Sequence, residues 1–410
     1  MSPKIHDLAP EATGPLKGVR IIDLTSVVLG AYATQMLGDM GADVIKVEFP
    51  GGGRGNGGDI MRWAGRTPDP SVRDMGPIFM TINRNKRSLV LDLREDSALE
   101  ALKTLIASAD MFMASVRYDG LKRLGLAYED VKAIRPDIVY VHAVGYDSDG
   151  PYAGEPAYDD LIQAASGCAD LLGRTDGDPT PRILPSLIAD KVSGLFMAQS
   201  ALAALFHRQR TGEGQFVEVP MLECVTSFNL AEHFFEHVFE PPTGQWSYSR
   251  VTNPHRKPYA TKDGYIGLLP YTDKQWEQFF EAAGWTERMA ADSRFSTAAG
   301  RGKHIRALYA LVESIIPERT TDEWLALLKP LQIPVVKMNR LDDLQTDPHL
   351  AAVGLFEAYE HPQVGTYTSL RPPVKFSATP ANIRRHPPRL GEHTDELLAE
   401  AEVLRAALEA

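Results

Sequence analysis

Two cysteines, Cys168 and Cys224, are the only thiols in a chain of 410 residues. Both sit in apolar contexts with no CxxC or metal-ligand spacing, so neither a disulfide framework nor a cysteine-bound metal organises this fold. Reduced core thiols in a cytoplasmic protein are expected. No apolar run is long enough to span a bilayer, and the opening MSPKIHDLAPEATGPLKG has no apolar signal core. A soluble chain with no membrane partner is therefore expected. Positive charge is also short. The 43 Lys and Arg against 54 Asp and Glu leave a formal net charge of −11, which argues against a general nucleic-acid binder. Local basic pockets for an anionic small molecule remain compatible with that balance. No internal repeat or low-complexity tract stands out, and 44% hydrophobic with 24% charged residues is ordinary globular composition.

What is present is a strand–helix alternation. GVRIIDLT and DVIKVEF read as buried strands flanking the helix GAYATQMLGDMGA, which Gly41 ends. Two apolar strands around a short helix make a βαβ unit of a parallel sheet. The alternation continues through SLVLDL, DMFMASV, DIVYVHAVGY and FVEV to about residue 220, which predicts an α/β fold. After residue 245 the texture changes to a Pro/Gly/aromatic stretch, a hairpin around Asp263-Gly264 and three helices. Residues 246–335 are expected to form a smaller α+β domain.

Three motifs carry a functional and a bland reading. GGGRGNGG at 51–58 contains a formal GxGxxG (Gly53, Gly55, Gly58), but no helix opens from it, so a surface loop is favoured over a dinucleotide site. NRNKRS, with Arg84, Lys86 and Arg87, is either a solvated basic turn or a phosphate contact. His233, Glu236 and His237 match HxxEH, yet the segment is Phe-rich and offers no third ligand downstream, so no metal site is assigned.

The stretch LPSLIADKVSGLFMAQSALAALFHRQRTGEGQFVEV matters most. An apolar run stops at Asp190, an apolar helix follows over roughly Val192 to Arg208, and a Gly-containing turn leads to a strand. Asp190 is a single carboxylate at a helix start. It is either an N-cap, or a nucleophile held ionised by the helix N-terminus.

GVRIIDLTSVVLGAYATQMLGDMGADVIKVE, NRNKRSLVLDL, LKRLGLAYEDVKAIRPDIVYVHAVGYDSDGPYAGEPAYDDLIQAASG, IADKVSG with LAALFHRQRTGEGQFVEVPMLE, and LGEHTDELL occur in this order between Pro15 and Leu398. In order and spacing they resemble the class III CoA-transferases, whose relatives include α-methylacyl-CoA racemase. The resemblance implies a Rossmann-like large domain with a parallel sheet built from both chain ends, residues 15–225 and 336–410. A linker helix at 226–245 would lead into the small domain. It also implies an interlocked homodimer, acyl-CoA and a carboxylic acid as partners, and no tightly bound cofactor, coenzyme A thioester being the substrate.

Position by position, the resemblance implies Asp190 as nucleophile. Val27, Val28 and Leu29 would line the nucleotide and thiol ends of CoA. Leu91 and Arg94 match positions near the adenosine, Arg123 a contact to the phosphates, and Tyr158 and Asp159 positions near the thioester. Phe49 stands where the oxalate enzyme has an arginine beside adenine. Ser115 and Val116 replace the common Asn-Phe beside the pantetheine, and Pro156 replaces a lysine. The glycine-rich flap of the formyl-CoA enzyme has no counterpart in 246–270. These departures argue against formyl-CoA and oxalate as substrates; succinyl-CoA and a dicarboxylic acid are the working guess. A racemase and a non-catalytic CoA-binding subunit are the alternatives. A racemase needs an acid/base pair, and Tyr158 stands where that branch has histidine; Tyr, with an unperturbed pKa near 10, is a poor base.

Overall fold

The computed structural model describes residues 4–51 and 56–409. The chain divides into two compact units. Met1–Cys168, Ile183–Phe228 and Ala351–Ala410 make the first; Ala169–Arg182 and Asn229–Leu350 make the second.

Six strands organise the first unit: β1 (Arg20–Leu24), β2 (Asp43–Glu48), β3 (Lys86–Val90), β4 (Met111–Ala114), β5 (Val139–Val144) and β6 (Phe216–Pro220). They form one sheet in the order β3-β2-β1-β4-β5-β6, every pairing parallel. These strands are near-continuous apolar runs because helices cover both faces. The helices between them are α1 (Leu29–Asp39), α2 (Pro77–Ile82), α3 (Asp96–Ala107), α4 (Tyr118–Arg123), α5 (Tyr128–Ile134) and α6 (Asp159–Ala165). After α7 (Leu171–Asp176), which belongs to the second unit, comes the long α8 (Ile188–Thr211). On one face of the sheet Ile21, Val44, Met111 and Val139 pack with Leu37 of α1 and Met197, Ala201 and Leu205 of α8. On the other, Ile22, Ile45, Phe112 and Tyr140 pack with Leu102 and Leu105 of α3 and Leu397 of the terminal helix Thr394–Glu409. Adjacent strand residues thus serve opposite cores.

The strand order reverses direction between β1 and β4. In a doubly wound sheet ligands bind outside the carboxyl ends of the strands at such a switch point. The loops after β1 and β4 are tied together there, Ser26 N donating to Ser115 Oγ at 3.2 Å.

The second unit carries a three-stranded antiparallel sheet, β7 (Tyr259–Ala260), β8 (Tyr265–Leu268) and β9 (Val335–Lys337). The expected hairpin around Asp263-Gly264 joins β7 to β8. Trp276, Phe279, Leu308, Ile315 and Trp324 form its core. Two of its helices, Asp273–Ala283 and Thr321–Leu328, start with capping boxes from Thr272 with Gln275 and from Thr320 with Glu323. β9 pairs with β8, so residues 336–350 stay with this unit, and the return to the first falls at Ala351 rather than at 336.

Of the glycine-rich stretch, Gly53 and Gly55 lie outside the described residues. Gly58 has a left-handed φ of 73° and is followed by a single 3-10 turn, Ile60–Trp63.

Candidate active site

Charged residues interrupt the apolar strands at Asp23, Lys46, Glu48 and Lys86, and all four are buried. Lys86 Nζ lies 3.3 Å from Asp23 Oδ2 and donates to Asn83 Oδ1 and Ala31 O at 2.9 and 3.0 Å. Lys46 Nζ donates to Thr25 O at 2.8 Å and faces Asp59 Oδ2 at 3.0 Å as an ion pair without hydrogen-bond alignment. Glu48 holds Arg62 through two hydrogen bonds of 2.8 and 2.6 Å. Burial pushes Lys86 down to about 8 despite Asp23 beside it. For Lys46 burial acts the same way, but Asp59, Asp23 and Glu48 outweigh it and raise its pKa.

This network fixes the loop over the switch point. Asp59 Oδ1 accepts from Met61 N at 3.0 Å and from Val27 N at 3.2 Å. Val27 is held at φ 66°, a left-handed conformation unfavourable for a β-branched side chain. Strain of this kind persists only where the surroundings over-determine it, and it concentrates at functional sites. Val28 and Leu29 follow, both buried, with Val28 at the N-cap of α1. No side chain caps α1, so its first amides have no intrahelical partner.

Asp190 is the third residue of α8, not its N-cap, a place held by Leu187. The expectation that helix-start amides keep its carboxylate ionised fails. Among the described residues no hydrogen-bond donor reaches the Asp190 side chain, and its own backbone N–H is spent on Asp159 Oδ1 at 3.0 Å. Burial, and then the negative charge of Asp159, push the Asp190 carboxyl up to about 7. Asp159, the first residue of α6, is itself buried and accepts from Gln163 Nε2 at 2.6 Å. Gln163 also donates to Ser186 O at 3.0 Å and accepts from Leu184 N at 2.9 Å, stapling the segment that enters α8. One turn beyond Asp190, Gly194 lets α8 approach α1; a Cβ there would stand 2.7 Å from Leu29 O. The first turns of α8 therefore lie beside the start of α1.

The remaining expected residues are spread over separate places. Ser115 and Val116 follow β4 at the switch point, where His142 Nε2 lies 2.8 Å from Val116 O. Phe49 and Arg94 come together at the ends of β2 and β3, the guanidinium 5.1 Å over the exposed ring, while Arg94 also clasps Asp92 at 2.6 Å. Leu91 is packed into the core. Arg123 closes α4, exposed and without an acidic partner among the described residues. Tyr158 is exposed at the N-cap of α6.

Both readings of NRNKRS are corrected. Arg84, Lys86 and Arg87 are buried and committed to Asp39, to Asp23, and to Asp43 with Glu396 and Glu400. Cations buried and already paired with carboxylates are not presented to a phosphate. His233 ends a helix while Glu236 and His237 lie in a separate turn, His237 stacked on Trp246. Among the described residues no group of three His, Cys, Asp or Glu could hold a metal ion.

Gln163 and Asp59 were not expected at the site. Gln163 sits one helical turn after Asp159, the only local hint. Asp59 followed a glycine run that reads as loop, and its contact with Val27 spans 32 residues.

A doubly wound sheet binds ligands at its switch point, and the strained loop after β1 lies there. Residues 16–394 match the family model of CoA-transferase family III, and the chain belongs to that family. It is 31% identical over 391 residues, 94% of this chain and 86% of the relative, to the succinyl-CoA:glutarate CoA-transferase of Mus musculus. It is 30% identical to the succinate–glutarate CoA-transferase of Agrobacterium fabrum, covering 96% of this chain and 98% of that one. A solved CAIB/BAIF family protein from Brucella suis superposes with a TM-score of 0.79 at 30% identity, over 95% of this chain and all of that one. No helix among the described residues is long and apolar enough to cross a membrane.

Proposed function

We propose that this chain is an acyl-CoA:carboxylate CoA-transferase that carries CoA as a thioester on Asp190. The observation that supports it is the buried Asp190 carboxyl, free of hydrogen bonds among the described residues and pushed up to about 7. A carboxylate so desolvated is more basic than an exposed one, and it attacks without first shedding hydrogen bonds.

The Asp190 carboxylate adds to the acyl carbonyl and expels CoA thiolate, leaving a mixed anhydride. The thiolate adds to the aspartyl carbonyl and expels the donor acid, leaving aspartyl-CoA. The acceptor carboxylate attacks that thioester and releases the thiolate, which then takes the acceptor acyl group and frees Asp190. Each tetrahedral oxyanion needs donors, and the uncapped amides of Val28 and Leu29 at the start of α1 are assigned that role, Val27 N being spent on Asp59. Ser115 and Val116 are assigned to the pantetheine, Phe49, Leu91 and Arg94 to the adenosine, and Arg123 to the phosphates. Asp159 and Tyr158 are assigned to the thioester end. Two relatives are named for succinate or succinyl-CoA with glutarate, and we carry the dicarboxylate class to this chain. Two free cysteines support a cytoplasmic setting.

The test is intact-protein and peptide mass spectrometry after incubation with succinyl-CoA. A CoA-thioester adduct on the Asp190 peptide is expected, absent in Asp190→Asn, together with less than a tenth of wild-type transfer to glutarate. Transfer persisting in Asp190→Asn would overturn the assignment. With a 2-methylacyl-CoA in D₂O and no acceptor, no α-deuterium should enter; rapid incorporation would place the chain with the racemases instead.

A further inference from the structure

The second unit contains a cavity of about 460 Å³ that none of the steps above uses. Its polar wall holds Tyr248, Arg250, Arg256, Tyr271, Arg301 and Tyr309. Arg301 is committed, its guanidinium pairing with Asp273 and donating to Phe295 O at 2.8 Å. Arg250 and Arg256 are different. Both are half-buried, and among the described residues neither side chain makes a hydrogen bond or an ion pair. Both act electrostatically on the Tyr309 hydroxyl, opposing the rise that burial imposes on it, so the two cations face one buried phenol. A guanidinium partly stripped of water and given no partner is poised for an anion, which it can grip through paired N–H donors.

The rest of the wall narrows the anion's chemistry. Glu232, 3.5 Å from His233, and Asp273 also line the cavity and offset much of its positive charge. A phosphate cluster would meet those carboxylates. Leu269, Trp276 and Ile305 supply apolar surface on which a short methylene chain packs. We infer that this cavity binds a small aliphatic dicarboxylate, with Arg250 and Arg256 as its anchors and tyrosine hydroxyls as supporting donors. The ligand class rests on the transfer reading, but binding here requires no chemistry at Asp190.

Isothermal titration of the full chain with glutarate, and separately with inorganic phosphate, tests it in wild type and in Asp190→Asn. Glutarate should bind equally to both. Arg250→Gln and Arg256→Gln should each weaken it at least about tenfold, the scale of a lost charge-assisted hydrogen bond. Tyr271→Phe, at an exposed position where folding is not at stake, should weaken it about two- to tenfold. Absence of glutarate binding to wild type, indifference to all three substitutions, or phosphate binding as tight as glutarate would each overturn the inference. The two readings fail separately. Arginine-dependent binding without a CoA adduct on Asp190 removes only the transfer mechanism. An adduct with binding indifferent to the arginines removes only this site.

Discussion

Asp190 is held where its charged form is least comfortable, and that has a measurable cost. The folded state raises its pKa from an ordinary aspartate value to about 7, so the folded chain binds a proton that the unfolded chain releases. For an acid shifted in this direction, the penalty is absent below pH 4. It grows as pH rises to 7 and is constant above, on the order of 4 kcal/mol. Asp190→Asn, which has the same shape and no charge, is expected to melt at a higher temperature than wild type at pH 8. That advantage should disappear on approaching pH 4; an unchanged or lower melting temperature at pH 8 would contradict it. The attacking species is the anion, so the rate of adduct formation should fall as pH drops below about 7. Asp159→Asn removes the neighbouring negative charge and should move that limb of the profile to lower pH.

Among the elements, the contact between α1 and α8 controls the site. Gly194 is the position at which any side chain would press on the Leu29 carbonyl. Gly194→Val should destabilise the chain by about 1–3 kcal/mol, the usual cost of overpacking. It should also displace the 27–30 loop from Asp190 and lower transfer more than the loss of folded protein explains, as activity normalised to folded fraction would measure. The Val27 backbone is under a related constraint: its left-handed φ is kept by the Asp59 carboxylate, which Lys46 and Glu48 position from beneath.

For the whole molecule, we expect an obligate homodimer with each site completed by both subunits. Phe206 and Phe228 on the first unit, and Val238 and Phe239 on the second, are large apolar side chains left more than half exposed. An interface with a second copy would take such side chains out of water. Light scattering should give twice the chain mass at micromolar concentration. A monomer that still forms the Asp190 adduct at full rate would remove the shared-site proposal.

The parallel sheet was legible in the chain, because strand–helix alternation is a local property. What the sequence could not decide is the electrostatic state of its own charged residues. Asp159 lies 31 residues before Asp190, and the two are joined by the Asp190 N–H to Asp159 hydrogen bond beside the staple made by Gln163. Arg84, Lys86 and Arg87 read equally as a solvated basic turn or a phosphate contact, and the sheet order, with β3 beside β2, instead buries them against Asp39, Asp23 and Asp43. A side chain's charge is set by the dielectric and the neighbours around it, and both come from which distant segments pack together. Periodicity along the chain determines which faces are buried; tertiary packing alone determined that Asp190 would be buried beside another carboxylate instead of capped by helix amides.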